Sequence, residues 1–308
     1  MQAQFDGLNT SSTRRKFIAG TAALGLAAVL GAKVTSGQAS SPTPTAVGTF
    51  APGEAAWTKY NLNSIANEQI LSIPGAGDRM TREFPEYRPY TTIKQFRKEI
   101  GKYVADDIVA GYEQYVFVPI EPNSADAETI QQLPGIDGDK ASQLLDTAPF
   151  ADDTAFLAAV GGMVTSEQST LAATYLASVA SSQVTWLKYD LSSMSENQIR
   201  SIPGTGDQMV TEFKEYRSYS SIEQFREELG KYVDGDVVTA YERYVFVPVV
   251  PNDADETTLL QLPGLDQDKA QTLINSRPFA DNAAFLSALS QQVVADLAEL
   301  GAAFVAAS

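Results

Sequence analysis

The sequence predicts an all-α protein, a chain of tandem helical hairpins in two duplicated halves. Three observations predict it. The stretch "ILSIPGAGDRM" (Ile70–Met80) returns 129 residues later as "IRSIPGTGDQM" (Ile199–Met209). With that offset the chain matches itself without a gap from Trp57 against Trp186 to Leu157 against Leu286. In that window 59 of 101 positions are identical, which marks an internal duplication. Within each half a Pro-Gly pair recurs after 60 residues, Pro74 with Pro134 and Pro203 with Pro263.

The elements follow in order within each quarter. The openings "NLNSIANEQILSIPG", "PNSADAETIQQLPG", "DLSSMSENQIRSIPG" and "PNDADETTLLQLPG" each carry a short polar cap and an apolar-periodic helix of about ten residues. Ile70 and Ile73, like Leu260 and Leu262, are expected to face a core. The Pro-Gly turn ends that helix, and Gly75, Gly135, Gly204 and Gly264 stand where the backbone must turn sharply or take a positive φ. A second helix follows in "MTREFPEY", "KASQLLDT", "MVTEFKEY" and "KAQTLINS". An aromatic residue and a small polar cap then introduce a third helix, as in "RPYTTIKQF" and "RPFADNAAFL". A second, degenerate hairpin closes each quarter. It keeps Gly101, Gly230 or the Gly161–Gly162 pair, and has lost the glycine in the last quarter. Two hairpins make about 60 residues, near the minimum that buries a core alone. The expected modules are residues 57–120, 121–182, 183–249 and 250–308, set in an elongated row.

Composition removes much chemistry. The 308 residues include no cysteine and no histidine, so disulfides, thiolate nucleophiles, imidazole bases and zinc fingers are excluded. At 44% hydrophobic residues the chain can bury ordinary cores. Residues 1–39 read as a twin-arginine export signal. Arg14 and Arg15 precede an apolar run from Phe17 to Gly31, too short to span a bilayer comfortably, and cleavage is expected after Ala39; the alternative is an uncleaved membrane anchor. Residues 40–56 read as a Pro/Ser/Thr-rich flexible linker. Removing the signal leaves 18 basic and 37 acidic residues, a net charge of −19, and no membrane span. Such a surface repels phosphate backbones at long range. A periplasm, a thylakoid lumen or the cell exterior fits the export route.

The helix–Pro-Gly–helix unit is similar to the helix-hairpin-helix motif. Two families share the pattern. "PNDADETTLLQLPGLDQDKA" resembles the hairpin domain of ComEA, the exported competence DNA receptor. "KYNLNSIANEQILSIPGAGDRMTREFPEYRPYTTIKQF…YEQYVFV" resembles PsbU, the extrinsic lumenal subunit of photosystem II. In DNA-binding relatives, hairpin glycines let backbone N–H groups approach a phosphate, and a nearby basic residue adds charge. Carried over, that site is Gly75, Gly77 and Arg79 in the first quarter and Gly135 with Lys140 in the second. In the third and fourth it is Gly204 with Gly206, and Gly264 with Lys269. The sequence departs from this pattern. Asp137 and Asp266 replace the second hairpin glycine, Asp78 and Asp207 follow Gly77 and Gly206, and Gln208 stands opposite Arg79.

Other constellations read as structural. The acids Asp106–Asp107, Asp152–Asp153, Asp234–Asp236 and Asp253–Asp255–Glu256 precede expected helices, where they complement the dipole, and none fits a calcium loop. The duplicated stretches "GYEQYVFVPIEP" and "AYERYVFVPVVP" read as extended links packed between modules. The alternative is a partner-binding patch of Tyr112, Tyr115, Phe117, Tyr241, Tyr244 and Phe246. No catalytic constellation, metal set or cofactor motif is found. The reading is an exported, non-enzymatic binding or assembly protein, an extrinsic scaffold subunit of a protein complex. The alternative is a ComEA-like DNA binder, disfavoured by charge. Arg79, Lys102, Lys140, Lys231 and Lys269 decide between them: gathered on one face they favour DNA, dispersed among carboxylates they favour assembly.

Overall fold

A computed structural model describes residues 51–307. The export signal and residues 40–50 lie outside the described residues. Among the described residues a set of eight short helices and two strands runs twice over. The first half runs β1 (Glu54–Asn61), α1 (Asn67–Ser72), α2 (Met80–Glu86), α3 (Ile93–Ile100), α4 (Asp106–Glu113) and β2 (Val116–Phe117). It continues through α5 (Ala127–Ile130), α6 (Gly138–Thr147), α7 (Asp153–Gly161) and α8 (Ser166–Ala172). The second half repeats this as β3 (Gln183–Asp190), α9 (Glu196–Ser201), α10 (Asp207–Glu215), α11 (Ile222–Leu229), α12 (Gly235–Tyr241) and β4 (Val245–Phe246). It ends on α13 (Glu256–Leu259), α14 (Gln267–Asn275), α15 (Asn282–Leu289) and α16 (Ala295–Gly301). Among the described residues no helix is long and apolar enough to cross a membrane.

The all-α expectation is overturned by the sheet. Four strands lie in the order β2–β1–β3–β4, with β1 and β3 antiparallel and each outer strand parallel to its neighbour. The sequence supports these strands locally. "EAAWTKYN" and "QVTWLKYD" are rich in aromatic and β-branched residues, and in β3 Val184, Trp186 and Lys188 alternate inward. A helix-only reading passes over them because each is eight residues long and stands before the first cap of its half. Glu54, Ala55 and Ala56 fell to the expected linker, yet they pair with Tyr189, Lys188 and Leu187, and both alanines are fully buried.

The strand register also replaces the elongated row. Trp57 lies opposite Trp186, its own repeat equivalent, so a pseudo-twofold axis passes through that pair. The halves pack around this axis on one continuous core. Trp57 meets Tyr115 at 5.1 Å and Phe304, from the far end of the chain, at 6.2 Å.

Within a quarter the expected chemistry is visible. The turn glycines Gly75, Gly135, Gly204 and Gly264 have φ between 75° and 81°. The third helices start on side-chain caps, Thr92, Asp152, Ser221 and Asp281, each accepting a backbone N–H three residues on. Asn63, Asn123 and Asn252 clamp the connector by bonding both backbone groups of Tyr90, Phe150 and Phe279 at 2.7–3.0 Å. The first helices have four to six residues rather than about ten, because the residues ahead of each cap form a turn. Leu259 at the end of α13, not Leu260, is the fully buried leucine; Leu260, just past the helix, is half-buried. Quarters within a half are joined by a buried bond: Ile93 N–H donates to the Thr129 hydroxyl (3.0 Å) and Ile222 N–H to Thr258 (3.1 Å).

Candidate functional site

The turns of the second and fourth quarters face inward, toward the opposite half. Gly135 N–H donates to the Tyr244 hydroxyl at 3.3 Å, and Gly264 N–H donates to the Tyr115 hydroxyl at 3.4 Å. Lys140 Nζ folds back onto the Gly135 carbonyl (2.7 Å), and Lys269 Nζ onto the Gly264 carbonyl (3.0 Å). The aspartates that replace the second glycine have a local task. Asp137 and Asp266 are the N-caps of α6 and α14, accepting from Lys140 N–H and Lys269 N–H at 2.9 Å. Both turns therefore use their donors, their basic side chain and their acid within the protein.

The turns of the first and third quarters are more open. The carbonyls of Gly75 and Gly204 accept from Tyr112 (2.8 Å) and Tyr241 (3.2 Å). Nothing stands within 4 Å of a Cβ placed on Gly77 or Gly206. Arg79 lies over the Tyr103 ring at 4.3 Å and pairs with Glu83 at 3.6 Å. Across the third turn Arg200 pairs with Asp207 (2.6 Å) and Glu196 (2.9 Å). The remaining deciding cations are paired as well: Lys102 with Glu99, Lys231 with Glu228, and Lys269 with Asp266. Each of the five is thus engaged by a carboxylate or a turn carbonyl.

The six aromatic residues considered for a partner patch are core residues. Tyr112, Tyr115, Phe117, Tyr241, Tyr244 and Phe246 are at most 8% exposed. Phe117 packs on Tyr175 at 4.9 Å and Phe246 on Phe304 at 4.8 Å. Burial drives the Tyr115 hydroxyl pKa upward and pushes that of Tyr244 up to about 12, the N–H bonds from the opposite turns pulling the other way. The acidic pairs sit at helix starts. Asp152 and Asp255 cap α7 and α13, and Asp106, Asp107 and Asp236 lie in first turns. No three potential metal ligands converge among the described residues.

The seam between the halves is the feature that sequence reasoning missed. Lys59 on β1 is half-buried and Lys188 on β3 is buried, each two residues after the strand's tryptophan. Lys59 Nζ donates to the Glu113 carbonyl (3.1 Å) and Lys188 Nζ to the Glu242 carbonyl (2.9 Å). Each amine lies over the opposite tryptophan: Lys59 is 5.7 Å from the Trp186 ring and Lys188 4.4 Å from that of Trp57. Burial, reinforced by the charge of Arg243, lowers Lys59 to about 7, with Glu113 opposing. Burial also lowers Lys188 to about 8, against the pull of Glu242. The signal was present in the repeated "WxKY", where a lysine stands between a tryptophan and a tyrosine of the same strand in both halves. Comparison with known proteins leaves the argument to these residues, since no family model, curated protein or solved structure matches the chain.

Proposed function

We propose that the chain is an exported, non-catalytic helix-hairpin-helix binding or assembly protein, an extrinsic scaffold subunit of a protein complex outside the cytoplasm. In kind it is like PsbU. One observation carries this reading: at Gly135 and Gly264 the amide donors meet tyrosine hydroxyls of the opposite half, and Lys140 and Lys269 cover the turn carbonyls. A hairpin that holds phosphate needs those N–H groups turned outward. In this chain two of the four work as joints between halves. A net charge of −19 without the signal adds long-range repulsion to any polyanion. Capture of a partner subunit by the intact protein follows from the reading.

A ComEA-like DNA-binding role is the second reading, and the open turns at Gly77 and Gly206 with Arg79 are what favour it. Fluorescence anisotropy of the purified protein against a short DNA duplex, across a salt series, separates the two. The scaffold reading expects no binding even at low salt. Micromolar binding that weakens steeply with salt overturns it.

A further inference from the structure

Beside the twofold axis a cavity of about 150 Å³ lies between the halves. It is partly open to solvent, and that volume has room for a small ligand. Its walls include both tryptophans of the chain, Trp57 and Trp186, and three cationic side chains, Lys59, Lys188 and Arg243. Among the described residues no carboxylate lies within ion-pair distance of any of the three. The acids on the same wall are engaged elsewhere: Arg97 binds Glu113 through both oxygens (2.6 and 2.8 Å) and also holds Glu128. Glu242, beyond Lys188, is bound by Arg226 at 2.7 and 2.8 Å. The Nε of Arg243 is buried and has no hydrogen-bond partner. A guanidinium left unpaired in a partly buried position costs free energy until an anion meets it.

The duplication sharpens the point. Arg243 stands where the first half has Gln114, so the third cation is present in one copy only. In a chain with 38 acidic and 22 basic residues, three unpaired cations around one cavity are the opposite of the surface trend. We infer that this cavity is a binding site for a small oxyanion, held by Lys59, Lys188 and Arg243 beside the two indoles. The shared chemistry is a carboxylate or a tetrahedral sulfate or phosphate. This site lies apart from the hairpin turns and stands whether or not the protein is a scaffold.

The lysines make the site pH-dependent. Both are lowered toward neutrality, so falling pH protonates them and strengthens anion binding. The charged groups around them are Arg97 on α3, Glu113 on α4, Glu128 on α5, and Glu242 and Arg243 before β4.

Trp57 and Trp186 are the only tryptophans in the chain, so intrinsic fluorescence of the full chain reads the cavity directly. Sulfate, phosphate and benzoate are titrated separately at constant ionic strength, with chloride as the balancing ion. Saturable quenching or shift by at least one of them is expected. Sulfate keeps its charge across neutral pH, so its affinity, if it is the ligand, rises as pH falls from 9 to 6. Arg243→Gln restores the residue the first half uses at the equivalent position and should fold. It should weaken binding about tenfold or more, the loss of one charge-assisted contact. No saturable response to any of the three anions, or equal binding by Arg243→Gln, overturns the proposal. Which anion binds distinguishes a tetrahedral from a carboxylate ligand.

Discussion

Alanine placed in turn at the four equivalent glycines should give two classes of damage, not one. All four have φ between 75° and 81°, so each alanine bears the left-handed penalty of about 1–2 kcal/mol. The surroundings differ. A Cβ on Gly75 comes no nearer than 3.9 Å to Tyr112, and one on Gly204 no nearer than 3.7 Å to Tyr241. A Cβ on Gly264 would stand 2.7 Å from Leu297 Cδ1 and 3.1 Å from Val293 Cγ1. On Gly135 it would stand 2.4 Å from Gln168 Oε1 and 2.9 Å from Val164 Cγ1. Gln168 cannot simply swing away, because it completes the α8 capping box and also donates to the Ser201 carbonyl in the other half. Overpacking of that kind adds about 1–3 kcal/mol. Gly75→Ala and Gly204→Ala should therefore cost about 1–2 kcal/mol, and Gly135→Ala and Gly264→Ala about 2–5 kcal/mol. Gly77→Ala and Gly206→Ala, in open space without positive φ, are near-neutral controls. Urea unfolding at constant m-value measures the series, and in melting temperature each kcal/mol corresponds to about 2–4 °C. Equal losses at all four turns, or the largest loss at Gly75, would refute the claim that the second and fourth turns are packed against neighbouring elements.

Stability in low-salt chloride buffer should rise from pH 7 to pH 9. An unfolded lysine holds its proton to about pH 10.4, whereas Lys59 and Lys188 release theirs near 7 and 8 in the folded state. The unfolded chain then binds more protons, so alkali favours folding. No histidine or cysteine titrates in that window, and Lys188→Met should flatten the rise in a urea series at each pH. Thr129→Val and Thr258→Val keep the side-chain shape but orphan the buried N–H groups of Ile93 and Ile222. Each should lower stability by about 1–3 kcal/mol, and an unchanged urea midpoint contradicts the role given to that bond. Tyr115→Phe and Tyr244→Phe remove acceptors 3.3–3.4 Å from turn amides, long enough to place each loss near 1 kcal/mol. The two losses should add in the double variant, since the turns they serve are separate, and a strongly non-additive pair speaks against two independent joints.

The repeat made the helical part legible. Identical Pro-Gly turns, small polar caps and the aromatic connector each state a local backbone requirement, and local requirements can be read one residue at a time. Positive φ at Gly75 and the cap at Asp152 follow from side-chain chemistry alone. The strands were not legible in the same way. β2 and β4 have two residues each, and β1 and β3 gain their meaning from partners more than a hundred residues apart. Lys59 and Lys188 carried a sign of their own, since a lysine set between aromatic residues in both copies calls for a partner. Which partner it has depends on register, and register is set by the pairing of Trp57 with Trp186. The tyrosines of "YVFV" could be read as buried, but not that their hydroxyls would meet turns of the opposite half.

The Trp57–Trp186 strand pair has the geometry of an isologous dimer interface, yet both surfaces belong to one polypeptide. Covalent linkage makes the association intramolecular and independent of protein concentration. It also lifts a constraint that binds every true homodimer, in which one codon change alters both subunits. Here one side of the contact can change while the other is kept, as Gln114 and Arg243 already differ. A tethered pair of copies can thus evolve an off-axis, one-sided site that a symmetric assembly of identical chains could present only twice.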